Sequence, residues 1–133
     1  NLDSVVVSRG RDPQFSRLTL GISGDPAGLE QIIKQCNKLI DVIHCFEHDE
    51  RASVTRELAL VKVLIDPGDR AEVLQIIEHF GAKTVDLGAS SIIAMIYGNS
   101  DKVDAAVHLL SKFDIVETVR TGKVVMARGE AAT

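Results

Sequence analysis

The segment Arg56-Glu57-Leu58-Ala59-Leu60-Val61-Lys62-Val63-Leu64-Ile65 (RELALVKVLI) decides the fold of this chain. After Arg56 and Glu57 it is apolar on both faces apart from Lys62, a pattern typical of a strand inside a sheet. The residues after it predict alternating helices and strands: strand 55–65, helix 69–80, strands 83–88 and 91–98, helix 100–112, and strand 114–127 with a break near Glu117. This order is βαββαβ, the ferredoxin-like arrangement.

Both helices of this half are predicted from apolar residues spaced at i, i+3, i+4 and i+7, which places them on one helical face. The two stripes are Val73, Ile76, Ile77 and Phe80, and Val103, Ala106, Val107 and Leu110. Gly81 follows the first stripe directly and suits a left-handed helix end. The residues Arg120-Thr121-Gly122-Lys123 predict a turn or bulge with solvated basic side chains.

Upstream of the polar linker 48–54, a shorter unit is predicted. Leu18, Leu20 and Ile22 alternate with other residues in a strand over 15–22 that has one covered face, and 5–8 is its hairpin partner. Asp25 and Pro26 begin a helix with the apolar stripe Leu29, Ile32, Ile33 and Cys36. A further strand is predicted at 39–47.

This first unit equals the last four elements of the same ferredoxin-like arrangement. A ferredoxin-like sheet places its first strand in the middle, and a gap there would leave backbone groups unpaired. We therefore expect a strand and a helix, about 25–30 residues, to precede residue 1 in the natural protein. The predicted class is α+β with two ferredoxin-like units in tandem: a partial ββαβ unit at 1–50 and a complete one at 51–133.

Composition excludes several classes of partner. The chain has 133 residues, a formal net charge of -4, 4% aromatic residues and no Trp. A mildly acidic chain with few aromatics lacks the field and the stacking surfaces that nucleic acid needs. No apolar run approaches the roughly 20 residues that span a bilayer. Cys36 and Cys45 are predicted to be buried thiols in a reducing compartment.

Motifs for catalysis are also lacking. His44 lies on the predicted strand 39–47 and His48 directly follows it, with no third ligand in the pattern, and His79 and His108 are predicted to lie on helix surfaces. No nucleophile–base pair and no glycine-rich phosphate loop is present. The residues thus predict no catalytic residue, no metal site and no cofactor in this chain, and favour a binding or regulatory module.

Several stretches, in order along the whole chain, resemble the small regulatory subunit of acetolactate synthase (acetohydroxyacid synthase). They are Asn1-Leu2-Asp3-Ser4, Phe15-Ser16-Arg17-Leu18-Thr19-Leu20, Leu29-Glu30-Gln31-Ile32 continuing to Ile43, Arg56 to Val63, Phe80 to Asp86, and Arg120 to Gly129. Gly81 departs from the family, which usually has Arg at this position. The resemblance identifies the first unit as an ACT domain that lacks its first strand and helix.

The resemblance also implies a function. Such a subunit is not an enzyme itself: it forms a homodimer through ACT domains, binds and activates a catalytic subunit, and confers feedback inhibition by valine or a related branched-chain amino acid. Thiamine diphosphate, Mg and FAD are expected in that catalytic partner. Asn1 would hydrogen-bond the effector and Leu2 would line its apolar side chain, while the opposite wall of the site is absent from this chain.

Two further readings stay open at this point. One is an ACT-type small-molecule sensor that acts on another partner, such as a transcription regulator. The other is a small enzyme whose site is assembled only in space. An RNA-binding ferredoxin-like domain is disfavoured by the missing aromatics. The expected location is the cytoplasm, or a plastid or mitochondrion in a eukaryote.

Overall fold

The computed structural model describes residues 2–132. In chain order, its elements are β1 (Leu2–Arg9), β2 (Ser16–Ile22), α1 (Pro26–Asn37), β3 (Ser53–Leu64), α2 (Arg70–His79), β4 (Lys83–Leu87), β5 (Ser91–Gly98), α3 (Ser100–Leu110), β6 (Asp114–Arg120) and β7 (Val124–Ala127). They divide into a first unit, residues 2–55 with 124–132, and a second unit, residues 56–123. The sequence places the division at 50/51 and assigns 124–132 to the second unit.

The second unit is built on an antiparallel sheet with the strand order β4-β5-β3-β6. The first strand of the unit is therefore central, which is the order that a βαββαβ chain requires. In the register of β3 and β5, Val61 lies opposite Ala94 and Val63 opposite Ile92. All four side chains are fully buried or nearly so, so one face of the sheet belongs to the core.

The core of the second unit joins this sheet face to both helices. Each helix supplies the stripe that the sequence predicts. The buried members are Val73 and Ile77 of α2, and Val103, Ala106 and Leu110 of α3. Since burying one large aliphatic side chain contributes about 1.5–3 kcal/mol, these contacts are a main source of stability for the unit.

The end of α2 confirms the role predicted for Gly81. Its φ of 63° lies in the left-handed region. The amide of Gly81 donates to the Glu78 carbonyl and the amide of Ala82 donates to the Ile77 carbonyl, both at 3.0 Å. This pair of bonds is the Schellman arrangement, which satisfies carbonyls that the helix end leaves free.

The predicted break near Glu117 is wrong. The pairing of β3 with β6 shifts register between Lys62 and Val63, so Val116 is an extra residue in a bulge and the strand continues through Glu117. A bulge keeps the flanking pairs of the ladder intact. The strand ends instead at Arg120, and Gly122, with φ at 84°, separates it from β7.

In the first unit, β1 and β2 form the predicted antiparallel hairpin, with Val5 opposite Leu20 and Val7 opposite Leu18. Helix α1 begins as predicted: the Asp25 carboxylate accepts a hydrogen bond from the Gly28 amide at 2.6 Å. The unit also includes β7, and the Arg128 amide donates to the Ala52 carbonyl at 2.8 Å.

The predicted cover over the first unit's apolar face is not found. Val5, Val7, Leu18 and Leu20 are exposed, and α1 contains no buried residue. We call these four side chains the hairpin face. The alternation was sufficient to predict which residues share a face. It does not reveal what covers that face, because the covering group is not part of the strand pattern.

The strand predicted at 39–47 is also wrong. Residues 38–49 contain turns and bends but no strand, and Ile40 is 100% exposed. A strand is stable only when a neighbouring strand completes its backbone hydrogen bonds. Here the Cys45 backbone is bound by the side chain of Asn37 instead, so apolar composition alone overstated the strand.

Candidate functional site

The predicted effector-binding pair lies at the start of the chain. Asn1 falls outside the described residues. Leu2 begins β1, pairs with Ile22 at the end of β2, and is 62% exposed. Next to it, the Ser23 hydroxyl donates to the Asp3 carboxylate at 3.3 Å. The structure therefore places Leu2 where the end of β2 turns toward α1.

A cavity of about 190 Å³ begins directly across the hairpin from Leu2, although Leu2 does not line it. Its lining comes from the end of β2, the following loop and the first turns of α1: Ile22, Ser23, Gly24, Asp25, Gly28, Leu29 and Ile32. It is smaller than the ~300–1,000 Å³ clefts that hold drug-sized ligands.

The chemistry of this cavity is amphipathic. Ile22, Leu29 and Ile32 supply an aliphatic wall, and Asp25 supplies a carboxylate. Gly28 allows the close approach of that carboxylate, since an added Cβ would lie 2.9 Å from its Oδ1. A carboxylate can attract the ammonium group of a small aliphatic amino acid. The neighbouring aliphatic wall can contact the side chain of the same amino acid.

The two cysteines are free and half-buried, so the prediction of buried thiols is only partly met. Burial and the neighbouring Cys36 thiol raise the pKa of the Cys45 thiol. The side chain of Asn37 binds the backbone of Cys45: its Nδ2 donates to the Cys45 carbonyl at 2.9 Å and its Oδ1 accepts from the Cys45 amide at 2.7 Å.

Of the four histidines, His79 and His108 lie as the sequence predicts, whereas the strand predicted around His44 is not found. His79 and His108 are exposed on α2 and α3. His44 and His48 lie in the irregular segment, and each ring contacts Phe46, with centroid separations of 5.3 and 4.8 Å. Over residues 2–132, no group of three or more His, Cys, Asp and Glu side chains is arranged to hold a metal ion.

Arg120 is placed differently from its predicted solvated position. In the second unit its guanidinium binds the Glu57 carboxylate, which is 5% exposed, and also the exposed carboxylate of Asp104 at 2.7 Å. These hydrogen bonds and charges raise the pKa of Arg120 against the opposing effect of burial. The group ties the end of β6 to β3 and α3, and its partners lie too far apart in sequence for a local pattern to indicate it.

No helix in the described part of the chain is long and apolar enough to cross a membrane. Apart from the cavity beside Ile22, the first unit offers the hairpin face as an exposed apolar surface. Contiguous exposed apolar surfaces mark interaction sites. The arrangement is therefore one of a small amphipathic cavity next to a surface suited to another protein.

Comparison with known proteins gives consistent matches. Residues 56–129 match a family model described as the small subunit of acetolactate synthase. A protein of Archaeoglobus fulgidus named probable acetolactate synthase small subunit is 40% identical over 129 residues, covering 97% of this chain and 80% of that protein.

Two further similarities extend this result. The acetolactate synthase small subunit of Bacillus subtilis is 38% identical over 130 residues, covering 97% of this chain and 76% of that one. The crystal structure of an acetolactate synthase small subunit from Thermotoga maritima superposes with a TM-score of 0.88 at 35% identity, covering 98% of this chain and 82% of that one. This likeness agrees with the predicted α+β, tandem ferredoxin-like fold.

Proposed function

This chain belongs to the acetolactate synthase small-subunit family, and from that premise we propose that it is a regulatory subunit. It binds a catalytic acetolactate synthase subunit, raises its activity, and makes that activity sensitive to valine or a related branched-chain amino acid. It is not itself catalytic. It acts in the cytoplasm, and thiamine diphosphate, Mg and FAD belong to the catalytic partner.

One observation carries this proposal: similarity to small subunits runs through both units of the chain, over 97% of its length. A match confined to the second unit would leave the first free to serve another partner. The cavity adds support, since its carboxylate and aliphatic wall suit an aliphatic amino acid.

We assign effector binding to the start of β1. Asn1 supplies an amide for the charged ends of the amino acid, and Leu2 supplies an apolar surface beside Ile22. The exposure of Leu2 supports this role, because an apolar side chain at a strand start is free to contact a ligand or a second subunit.

The test is acetolactate formation by a cognate catalytic subunit, with and without this chain, across titrations of valine, leucine and isoleucine. Activation that one of the amino acids reverses is the expected result. Activation that none of them reverses would retain the catalytic partner and reject effector sensing by this chain. No activation of a competent catalytic subunit would reject the proposed function and favour a sensor with another partner.

The effector residues are tested by Leu2→Ala and Asn1→Ala. We expect each to raise the inhibitory concentration of the effector about tenfold, the effect of losing ~1.4 kcal/mol of binding, and to leave activation unchanged. The matched control is Leu39→Ala, because Leu39 is 59% exposed, close to the value for Leu2, and lies away from the cavity lining. Equal sensitivity in all three variants would contradict the assignment.

For the hairpin face, we propose a second copy of this chain as the partner. Val5, Val7, Leu18 and Leu20 lie in two directly opposed pairs, so the same patch can pack against itself about a two-fold axis. Light scattering should give a dimer for the natural chain. The double variant Val7→Asp with Leu18→Asp should be monomeric, while Leu109→Asp on exposed α3 of the second unit should stay dimeric. A dimer that survives the double variant would contradict this interface.

A further inference from the structure

We propose that Cys36 and Cys45 form a reversible intramolecular disulfide in the first unit, with low-molecular-weight disulfides such as oxidised glutathione as the oxidant. This modification site is independent of the regulatory function proposed above. Both thiols are free in the described structure and neither is fully buried, so a small oxidant can reach them.

The two cysteines are held together by contacts on both sides. Cys36 is in the last turn of α1 and Cys45 lies in the irregular segment that follows. Asn37, the residue after Cys36, binds both the amide and the carbonyl of Cys45. Two hydrogen bonds from one planar amide fix the position of the Cys45 backbone as a neighbouring strand would. In accord with this proximity, the Cys36 thiol is among the groups that raise the pKa of the Cys45 thiol, after burial.

The segment between the cysteines gives this bond a structural consequence. Residues 37–44 connect the end of α1 to Cys45, and they include Ile40 and Ile43, both strongly exposed. In the reduced chain, their closure depends on the Asn37 amide. A disulfide would replace that closure by a covalent bond and restrict the conformations open to the segment.

The chemistry balances by thiol–disulfide exchange. One cysteine thiolate attacks a sulfur of oxidised glutathione, so a mixed disulfide forms and one glutathione thiolate leaves. The second cysteine thiolate then attacks the protein sulfur of the mixed disulfide and displaces the second glutathione. Two electrons pass from the cysteines to the oxidant, and the two thiol protons end on the released glutathione molecules.

Protonation sets the pH dependence of this exchange. The raised pKa of the Cys45 thiol means that less of it is thiolate at neutral pH than in an unfolded chain. The exchange should therefore be slower in the folded chain at pH 7 and accelerate as the pH rises above the ordinary cysteine value of about 8.5.

The test equilibrates the full chain in glutathione buffers of increasing oxidised fraction, with thiol trapping and intact-mass measurement. The expected product is a chain that is not disulfide-linked to another chain and that has lost two hydrogen atoms and both titratable thiols, with a linked peptide containing Cys36 and Cys45. Protease cleavage within 38–44 should slow about tenfold on oxidation and recover on reduction. Stable glutathione adducts or disulfide-linked pairs of chains, without the internal bond, would overturn the proposal.

Variants test whether disulfide formation depends on the position of Cys45 next to α1 or only on the reactivity of the two thiols. Asn37→Ala should require about a tenfold higher oxidised fraction for half-conversion, the effect of losing two hydrogen bonds. Gln35→Ala, a change of an equally exposed amide on the same helix, is the matched control and should follow the natural chain. A coincident curve for Asn37→Ala, with α1 shown intact by circular dichroism, would overturn the role of the amide. Cys36→Ser and Cys45→Ser should each retain one thiol and form no internal bond.

Discussion

The two units have similar apolar sequence patterns but bury their apolar side chains to different extents. In the second unit, apolar alternation on β3 and β5 and the stripes of α2 and α3 meet in one core. In the first unit, the alternation of β2 and the stripe of α1 are just as regular, yet every buried hydrophobic residue of the described chain lies between Ala59 and Leu110.

This contrast shows what amphipathic periodicity does and does not determine. The pattern selects the side of a helix or strand that avoids water, and it forms the element when local caps and turns agree. Stability comes only when that side is covered. The second unit covers one face of its own sheet with two helices, whereas the hairpin face is exposed in the described part of the first unit.

The largest expected effect on the free energy of unfolding comes from shortening one apolar side chain in each unit. Ile92→Ala deletes a fully buried side chain of β5 and should cost about 2–5 kcal/mol in free energy of unfolding. At protein concentrations low enough to dissociate the proposed dimer, Leu18→Ala on the hairpin face should cost about 0.5 kcal/mol or less. Urea denaturation of Ile92→Ala can be followed by the fluorescence of Tyr97, which is the single tyrosine in a chain without Trp and lies in the second unit, and that of Leu18→Ala by circular dichroism, which reports on both units. Equal losses under these conditions would contradict the contrast, because they would show that the hairpin face is covered within a single chain.

The next test concerns the buried charge of the second unit. Arg120→Met leaves the Glu57 carboxylate buried without its cationic partner, which should cost about 2–3 kcal/mol. Asp104→Asn removes only the exposed partner of the same guanidinium and should cost about 0.5 kcal/mol or less. The same Tyr97-monitored urea curves compare the two. A cost for Asp104→Asn that matches Arg120→Met would mean that the exposed pair carries the stability.

The C-terminal ends of α2 and α1 differ in backbone conformation. Gly81→Ala forces a side chain into the left-handed region at the end of α2 and should cost about 1–2 kcal/mol. The corresponding end of α1 lies at Lys38, whose φ of -81° any residue adopts, so Lys38→Ala should be near neutral. Thermal unfolding of both variants by circular dichroism measures this difference. A neutral Gly81→Ala would contradict the strain.

The smallest expected effect is a difference in helical signal after removal of the N-cap side chains of α1 and α3. The Asp25 side chain caps α1 and the Asn99 side chain caps α3, by the same kind of bond to an amide three residues on. Each change to Ala should cost about 1 kcal/mol locally. Because α1 has no buried residue, Asp25→Ala should visibly reduce the far-ultraviolet helical signal, whereas α3 should remain folded in Asn99→Ala.

A third cap position serves as the control for this pair. Asp69 precedes α2 but makes no side-chain cap bond, so Asp69→Ala should change neither the helical signal nor stability by more than a few tenths of a kcal/mol. An unchanged helical signal in Asp25→Ala would show that α1 is held by contacts other than its cap.

The elements that could be predicted from sequence are those whose determinants are local. In the second unit, the ends of the helices and strands lie within about two residues of their predicted positions, except for the end of β6. The agreement follows because caps, glycines and periodicity are all short-range signals. The failure at 39–47 has a different cause. A strand depends on a neighbour, and the many apolar residues there give no information about whether one is present.

The same limit applies to the candidate site. Leu2 and Asn1 were assigned by family resemblance, and Leu2 does lie beside the cavity-lining residue Ile22. The bond between Asn37 and Cys45 spans 8 residues and that between Arg120 and Glu57 spans 63. Such partners could be found only in three dimensions, since neither Asn37 nor Arg120 belongs to a motif that names its partner.

The position of β7 has a consequence for synthesis of the chain. Residues 124–132 belong to the first unit, yet they are translated after the whole of 56–123. The second unit therefore leaves the ribosome with all its strands while the first still lacks residues that it requires. During translation, the later-encoded unit can fold first, and the bond from the Arg128 amide to the Ala52 carbonyl of the earlier-encoded unit can form only after residue 128 is made.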